Sequence, residues 1–220
     1  MIHLNKFAKS IYSQSGEDGI IEAIFQHIPC TNTYCEFGAG DGHFVSNTKR
    51  LRELGWTGVL IEGSSDADKL KGLAGVTPIK AFISLEPGET LDELLATTNL
   101  PTEFDLMSVD IDGNDLWVWD SLKNYRPKSV VIEYNYKYNE SLTIFYDRNH
   151  RFANNSYYGA TARALFKLAA SKGYDCVGFT PNHNLFFVDK IYSDKFQKID
   201  IEQIPLGSGW TESGRTMQVY

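Results

Sequence analysis

The chain has 220 residues and a net charge of −7, with hydrophobic residues at 42%, charged residues at 22% and aromatics at 13%. Its length suits one α/β domain with a sufficient core, and its composition is that of an ordinary globular protein. The acidic balance argues against a general polyanion binder, whose affinity would rest on clustered Lys and Arg, and no apolar run approaches the ~18 residues of a membrane helix. Cys30, Cys35 and Cys176 show neither a C-x-x-C pair nor a zinc spacing with His. They are expected as unpaired structural thiols of a reduced cytoplasmic chain, in keeping with the lack of an apolar leader in Met1 to Lys6.

From the N-terminus, Tyr12-Ser13-Gln14-Ser15-Gly16-Glu17-Asp18-Gly19 precedes Ile20, Ile21, Ile24, Phe25 and Ile28, which share one helix face. Ser15, with Asp18 three residues later, reads as the N-cap of that helix. The next stretch organises the chain. Tyr34-Cys35-Glu36-Phe37 is a short strand running into Gly38-Ala39-Gly40-Asp41-Gly42, and a helical pattern follows through Ser46-Asn47-Thr48 to Leu54-Gly55. A glycine turn between strand and helix lets the backbone pass close beneath a bound group. The spacing departs from the dinucleotide fingerprint G-x-G-x-x-G, because the sixth position from Gly38 is His43, and an NAD dehydrogenase is disfavoured.

Trp56 to Gly63 reads as a second buried strand ending in Glu62, which lies 20 residues past Gly42. That is the distance expected of a carboxylate accepting both hydroxyls of an adenosine ribose. Pro78 to Ser84 reads as a third strand, and Thr90 with Glu93 as a capping box opening a helix. Leu106 to Ile111 is nearly all apolar, as a parallel strand covered on both faces should be, and it delivers Asp110 and Asp112 just before Gly113. Lys128 to Asn135 is a fifth strand that ends in Glu133, Tyr134 and Asn135.

Asp110, Asp112, Glu133 and Asn135 can therefore meet across two strand ends. Hard oxygen donors of that kind suit Mg²⁺, Mn²⁺ or Ca²⁺. The alternative is that Asp110 faces a cofactor amino group, Asp112 caps the next helix and Glu133 pairs with a lysine. From Tyr134 to Tyr158 aromatics are interleaved with Asn, Asp, Arg and His without clear periodicity, which reads as a substrate lid suited to a polar ring-shaped acceptor such as a sugar, the alternative being a long insertion packed against the sheet. A helix through Leu165 and Leu168 to Lys172-Gly173 follows. Tyr174 to Phe179 and Leu185 to Val188 then form a terminal hairpin, and the tail beyond Lys190, including Gly207-Ser208-Gly209-Trp210, folds back or hangs free.

Taken in order, Ser13-Gln14-x-Gly16-Glu17-Asp18, Glu36-x-Gly38-x-Gly40-x-Gly42, Ser46-Asn47-Thr48, Ile61-Glu62, Thr90-Leu91-Asp92, Asp110-Ile111-Asp112-Gly113 and Lys172-Gly173-Tyr174 resemble the motifs of FkbM-type, class I S-adenosylmethionine (SAM) dependent methyltransferases. The chain departs from that pattern at Asp112, where the family commonly has Glu, and this leaves the acceptor in doubt. The resemblance implies a Rossmann-like α/β fold: a mostly parallel seven-stranded sheet with helices on both faces and a terminal antiparallel hairpin. It implies a single domain, with an N-terminal helical segment at 1–30, a cofactor-binding core at 31–135, the lid at 136–160, and a closing helix, hairpin and tail at 161–220.

For SAM it implies contacts from Gln14, Glu17, Glu36, Gly38, Gly40, Asn47, Glu62, Ser84 and Asp110. The reaction expected is O-methylation of a sugar or other small hydroxylated acceptor, with Asp110, Asp112 and Glu133 as catalytic residues and a divalent cation as an assisting cofactor. Candidate bases in the absence of an ion are His43, His150 and His183. Neither nucleic acid nor membrane is an expected partner, and homo-oligomerisation is left open. Two other functions are to be weighed: a nucleic-acid methyltransferase, which should show a basic face, and a Rossmann-like nucleotide-binding protein without methyl transfer.

Overall fold

The computed structural model describes residues 1–207 and 217–220. Its centre is a seven-stranded sheet built from β1 (Thr33–Phe37), β2 (Thr57–Glu62), β3 (Val76–Lys80), β4 (Leu106–Val109), β5 (Ser129–Glu133), β7 (Tyr174–Phe179) and β8 (Asn184–Asp189). The spatial order is β3-β2-β1-β4-β5-β8-β7. Strands β1 to β5 pair in parallel, while β8 runs antiparallel to both of its neighbours, β5 and β7. This is the Rossmann-like, mostly parallel seven-stranded sheet expected from the sequence, with its antiparallel hairpin at one end.

The order reverses between β1 and β4, so the loops after those two strands part and leave a crevice at their carboxyl ends. Gly38 begins the first loop at φ +74°, and a Cβ there would lie 1.6 Å from the Asp110 carbonyl oxygen. Glycine is required at that position because the two loops touch.

Alternate residues of the strands feed two cores. On one face Phe37, Ile61, Val109 and Ile132 pack with α3 (Leu91–Ala96), α4 (Asp115–Ser121) and α5 (Ala162–Lys172). On the other Tyr34, Leu60, Val131 and Phe186 pack with α1 (Glu17–Phe25) and Leu51 of α2 (Lys49–Glu53). The Thr90–Glu93 capping box forms as expected, and Gly173 ends α5 in the left-handed conformation.

Some boundaries differ from the sequence reading. The third strand starts and stops earlier, at Val76 and Lys80, which leaves Ala81, Phe82 and Ile83 beyond its end; Pro78 is tolerated because β3 is an edge strand. Ser15 does not cap α1. Gly16 holds the N-cap position at φ 107°, Ser15 Oγ meets His183 Nδ1 at 2.9 Å, and Ser13 and Asp18 bond one another instead. Nor does the whole tail lack structure: α6 (Lys190–Ser193) follows β8, and β9 (Gln218–Val219) pairs with β6 (Leu142–Thr143) in a second, two-stranded sheet. Gly207 donates to the Tyr136 carbonyl at 2.7 Å, while Ser208, Gly209 and Trp210 lie outside the described residues. No helix among the described residues is long and apolar enough to cross a membrane.

Candidate active site

Two adjoining cavities occupy the crevice and share Gly38 and Asp110. One, of about 350 Å³, is lined by the glycine loop with Glu36, Asp41, Ser46 and Asn47. The Glu36 carboxylate accepts from Ser46 Oγ at 2.8 Å, the Asn47 N–H at 2.8 Å and Thr48 Oγ1 at 2.6 Å. Burial raises its pKa, and these hydrogen bonds oppose the rise. Glu36 thus fixes the start of α2 against β1 from beneath the loop. Asn47 Nδ2 reaches Ser108 Oγ at 3.1 Å, and Asp41 accepts from the His43 and Phe44 N–H groups, which lower its pKa.

The second cavity, of about 290 Å³, runs from Gly38 and Asp110 past Glu62 and Gly63 to Ala81, Phe82 and Ile83. Its remaining walls come from Asp112 and Asn114 on one side and from Arg148, His150, Arg151 and Phe152 of the lid on the other. Glu62 spans the join, with Oε2 accepting from the Gly40 N–H at 2.9 Å and Oε1 from the Ser64 N–H at 2.6 Å. Each carboxylate oxygen has more than one acceptor site, so these bonds leave capacity for a ligand hydroxyl.

At the inner end, carboxylate oxygens of Asp110, Asp112 and Glu133 all lie within 4.8 Å of one another. Asp112 sits at φ 53°, an unusual conformation for a residue other than glycine. The structure explains it through Asp115, which the sequence reading left unused. Buried at the start of α4, Asp115 accepts from the Ile111 N–H at 2.8 Å and the Gly113 N–H at 2.7 Å, one on each side of Asp112.

Four acids in so small a volume repel. Burial, then Asp110, Asp115 and Asp112, push Glu133 up to about 10, and burial with Asp115 and Asp112 raises Asp110 well above the carboxylate range. Glu133 Oε2 is buried without a hydrogen-bond partner. Tyr158, whose pKa burial raises and the Glu133 charge raises further, stands beside it.

Several expected site residues are elsewhere. Asn135 is fully buried and its amide is spent on the lid, donating to the Ser156 and Tyr158 carbonyls at 2.9 Å and accepting from the Lys137 N–H at 3.1 Å. It is therefore not brought to the carboxylates. Glu17 is turned towards the terminal hairpin, where it accepts from Thr180 Oγ1 and Asn184 Nδ2, and Gln14 is exposed outside both cavities. Ser84 donates to Glu89 at 2.8 Å and lines neither cavity; Phe82 faces the space in its place.

Asp112 caps no helix, and among the described residues Glu133 has no Lys or Arg in ion-pair contact, so the alternative roles for these two acids do not hold. Of the three candidate histidines, His150 lines the second cavity, with Nε2 3.0 Å from the Asp112 carbonyl, and the other two line neither cavity of the crevice. His43 is exposed and His183 sits in the hairpin turn. Phe82, Arg148 and Arg151 were not singled out from the sequence as cavity residues, because nothing in their local pattern says which strand end the lid covers.

No family model matches the chain, and no curated protein matches its sequence. Solved structures do resemble it. The CMeT domain of the citrinin polyketide synthase is 15% identical at a TM-score of 0.44, covering 81% of this chain and 54% of its own. A SAM-dependent methyltransferase from Aquifex aeolicus is 12% identical at 0.46, covering 84% and 94%. LepI, in complex with SAM, is 12% identical at 0.49, covering 83% and 50%. The chain thus spans about half the length of the first and third of these.

Proposed function

We propose that the chain is a SAM-dependent methyltransferase acting on a hydroxyl of a small polar acceptor, of which a sugar is the best candidate. The observation that carries this reading is the gathering of the glycine loop, Glu62 and the Asp110, Asp112 and Glu133 carboxylates around one crevice at the strand ends. Glu62 is suited to the ribose hydroxyls, the loop from Gly38 to Gly40 to the close approach of the amino-acid part, and Asp41, Asn47 and Asp110 to its polar groups. When bound, SAM supplies a methyl group already activated by the sulfonium; the acceptor oxygen displaces it in line, and the C–S electron pair stays on the sulfur of the leaving S-adenosylhomocysteine (SAH).

The protein's part is orientation and removal of the hydroxyl proton. Burial and the neighbouring acids raise the Glu133 pKa, which favours the protonated form over the carboxylate in the ligand-free state. A positive charge held beside the cluster would oppose that rise and favour the carboxylate, the form able to accept the proton. Asp110, Asp112 and Glu133 also fit a divalent ion: the donors are hard, their oxygens converge, and Glu133 Oε2 lacks a partner. Such an ion would stabilise the developing alkoxide. Asp115 holds the loop that presents Asp112, and Phe152, which lines the second cavity, supplies an aromatic face for a sugar ring.

Acidic charge over the whole chain argues against the nucleic-acid alternative. The test is to incubate the protein with SAM and a panel of sugars and other hydroxylated acceptors, with and without Mg²⁺, and to measure SAH. Acceptor-dependent SAH with a methylated product is the expected result. Binding of SAM without turnover across the panel would favour the nucleotide-binding alternative.

A further inference from the structure

The lid does not lie only over the carboxylates, where an acceptor would sit. Residues 146–152 also cross the mouth of the outer cavity, from the β4–α4 loop to the end of β3. On the inner side this segment is tied down: Asn114 Nδ2 donates to the Asp147 carbonyl at 2.8 Å, the Asp147 N–H donates to Asn114 Oδ1 at 3.3 Å, and His150 packs so close to Gly113 that a Cβ there would lie 2.3 Å from the ring. On the outer side the two arginine contacts are solvent-exposed. Arg148 pairs with Glu89, and the Arg151 guanidinium lies 4.1 Å above the centre of the Phe82 ring while donating to the His150 carbonyl. The Leu85 N–H donates to the Tyr146 phenolic oxygen (Oη) at 2.9 Å.

Phe82 is where a nucleobase should go. The end of β2 offers a carboxylate for a ribose, and the adjacent end of β3 offers Ala81, Phe82 and Ile83, a flat apolar wall one sugar's width further out. Aromatic faces of this kind hold bases by stacking. The planar Arg151 guanidinium covers one face of the half-exposed Phe82 ring, the face on which a base would compete with it for stacking. We propose that residues 146–152 are a strap operated by the cofactor: the base displaces the Arg151 guanidinium from Phe82, and entry requires the Arg151–Phe82 and Arg148–Glu89 contacts to break. The proposal rests on the SAM-binding reading. It makes Phe82, not Ser84, the base contact, and it places cofactor and acceptor under one segment, so that the first ligand to bind reshapes the site of the second.

The probe is SAH, which lacks the sulfonium charge, with association and dissociation measured by surface plasmon resonance. Contacts of these two kinds correspond to about a two- to fivefold change in rate each. Arg151→Ala and Glu89→Gln should each speed association by that factor, and Arg151→Lys, which keeps the charge and loses the plane, should speed it as well. Phe82→Ala should weaken equilibrium binding about tenfold. If wild-type protein binds SAH while Arg151→Ala and Glu89→Gln associate at the wild-type rate, the strap is overturned and the cofactor reading stands. A fast Arg151→Ala beside a wild-type-like Arg151→Lys would also overturn it, by showing an effect of charge. No binding of SAH to the wild-type protein would overturn both.

Discussion

Replacing Glu133 by Gln tests the electrostatics of the site without a substrate. The unfolded chain releases the Glu133 proton near the ordinary value of 4.5, whereas the folded protein holds it up to about 10. A raised carboxyl pKa means that stability is greatest below 4.5 and falls as pH rises through the interval between the two values. At pH 7 the interval passed is 2.5 pH units, which at about 1.36 kcal/mol per unit is a loss of about 3 kcal/mol. Gln has nearly the same shape and cannot ionise in either state. The variant should therefore match wild type at pH 4 to 4.5 and gain progressively above it, reaching about 3 kcal/mol at pH 7. For a chain of this size that is roughly 6 to 12 °C in Tm. Thermal melts of both proteins in ligand-free buffer from pH 4 to 8 provide the assay, and turnover should be lost in the same variant. A difference in Tm that does not change with pH would refute the reasoning, because it would mean that Glu133 is ionised in the folded state.

Three other outcomes are expected. Gly38→Ala drives a Cβ against the Asp110 carbonyl from a positive-φ position and should cost about 2–5 kcal/mol, read by denaturant unfolding, together with the capacity to bind SAH. Asp115→Ala leaves the Ile111 and Gly113 N–H groups without their acceptor and should cost about 2–4 kcal/mol while lowering kcat far more than SAH affinity, since it acts on the loop that carries Asp112. Millimolar Mg²⁺ should raise the wild-type Tm at pH 8 more than at pH 5, because protons and the ion compete for the same carboxylates, and should leave the Asp112→Asn variant unmoved.

The parts legible in the sequence were those set by local rules. Strand, glycine turn and helix follow one another in a pattern that backbone geometry enforces, and the all-apolar run before Asp110 marks a strand buried on both faces. The carboxylates at the ends of β4 and β5 could be paired from the sequence because adjacent parallel strands deliver their ends to one place. What was not legible depends on long-range contact. Asn135 follows Glu133 by two residues and was grouped with it, yet the lid backbone takes its amide. Ser15 has the form of an N-cap, but Gly16 turns left-handed first. The tail gave no signal of a strand at Gln218–Val219, since two residues pairing with Leu142–Thr143 carry no period of their own. Arg148 and Arg151 belong to a segment without periodicity, so their reach to Glu89 and Phe82 could be found only in three dimensions.

The central claim is that the crevice binds a sulfonium nucleoside with Glu62 on its ribose. Isothermal titration with SAH tests it most directly, on the wild-type protein and on Glu62→Ala. The account predicts saturable binding at one site, weakened about tenfold or more by the loss of two charge-assisted hydrogen bonds. Absence of heat with the wild-type protein, or equal affinity in the variant, would contradict it.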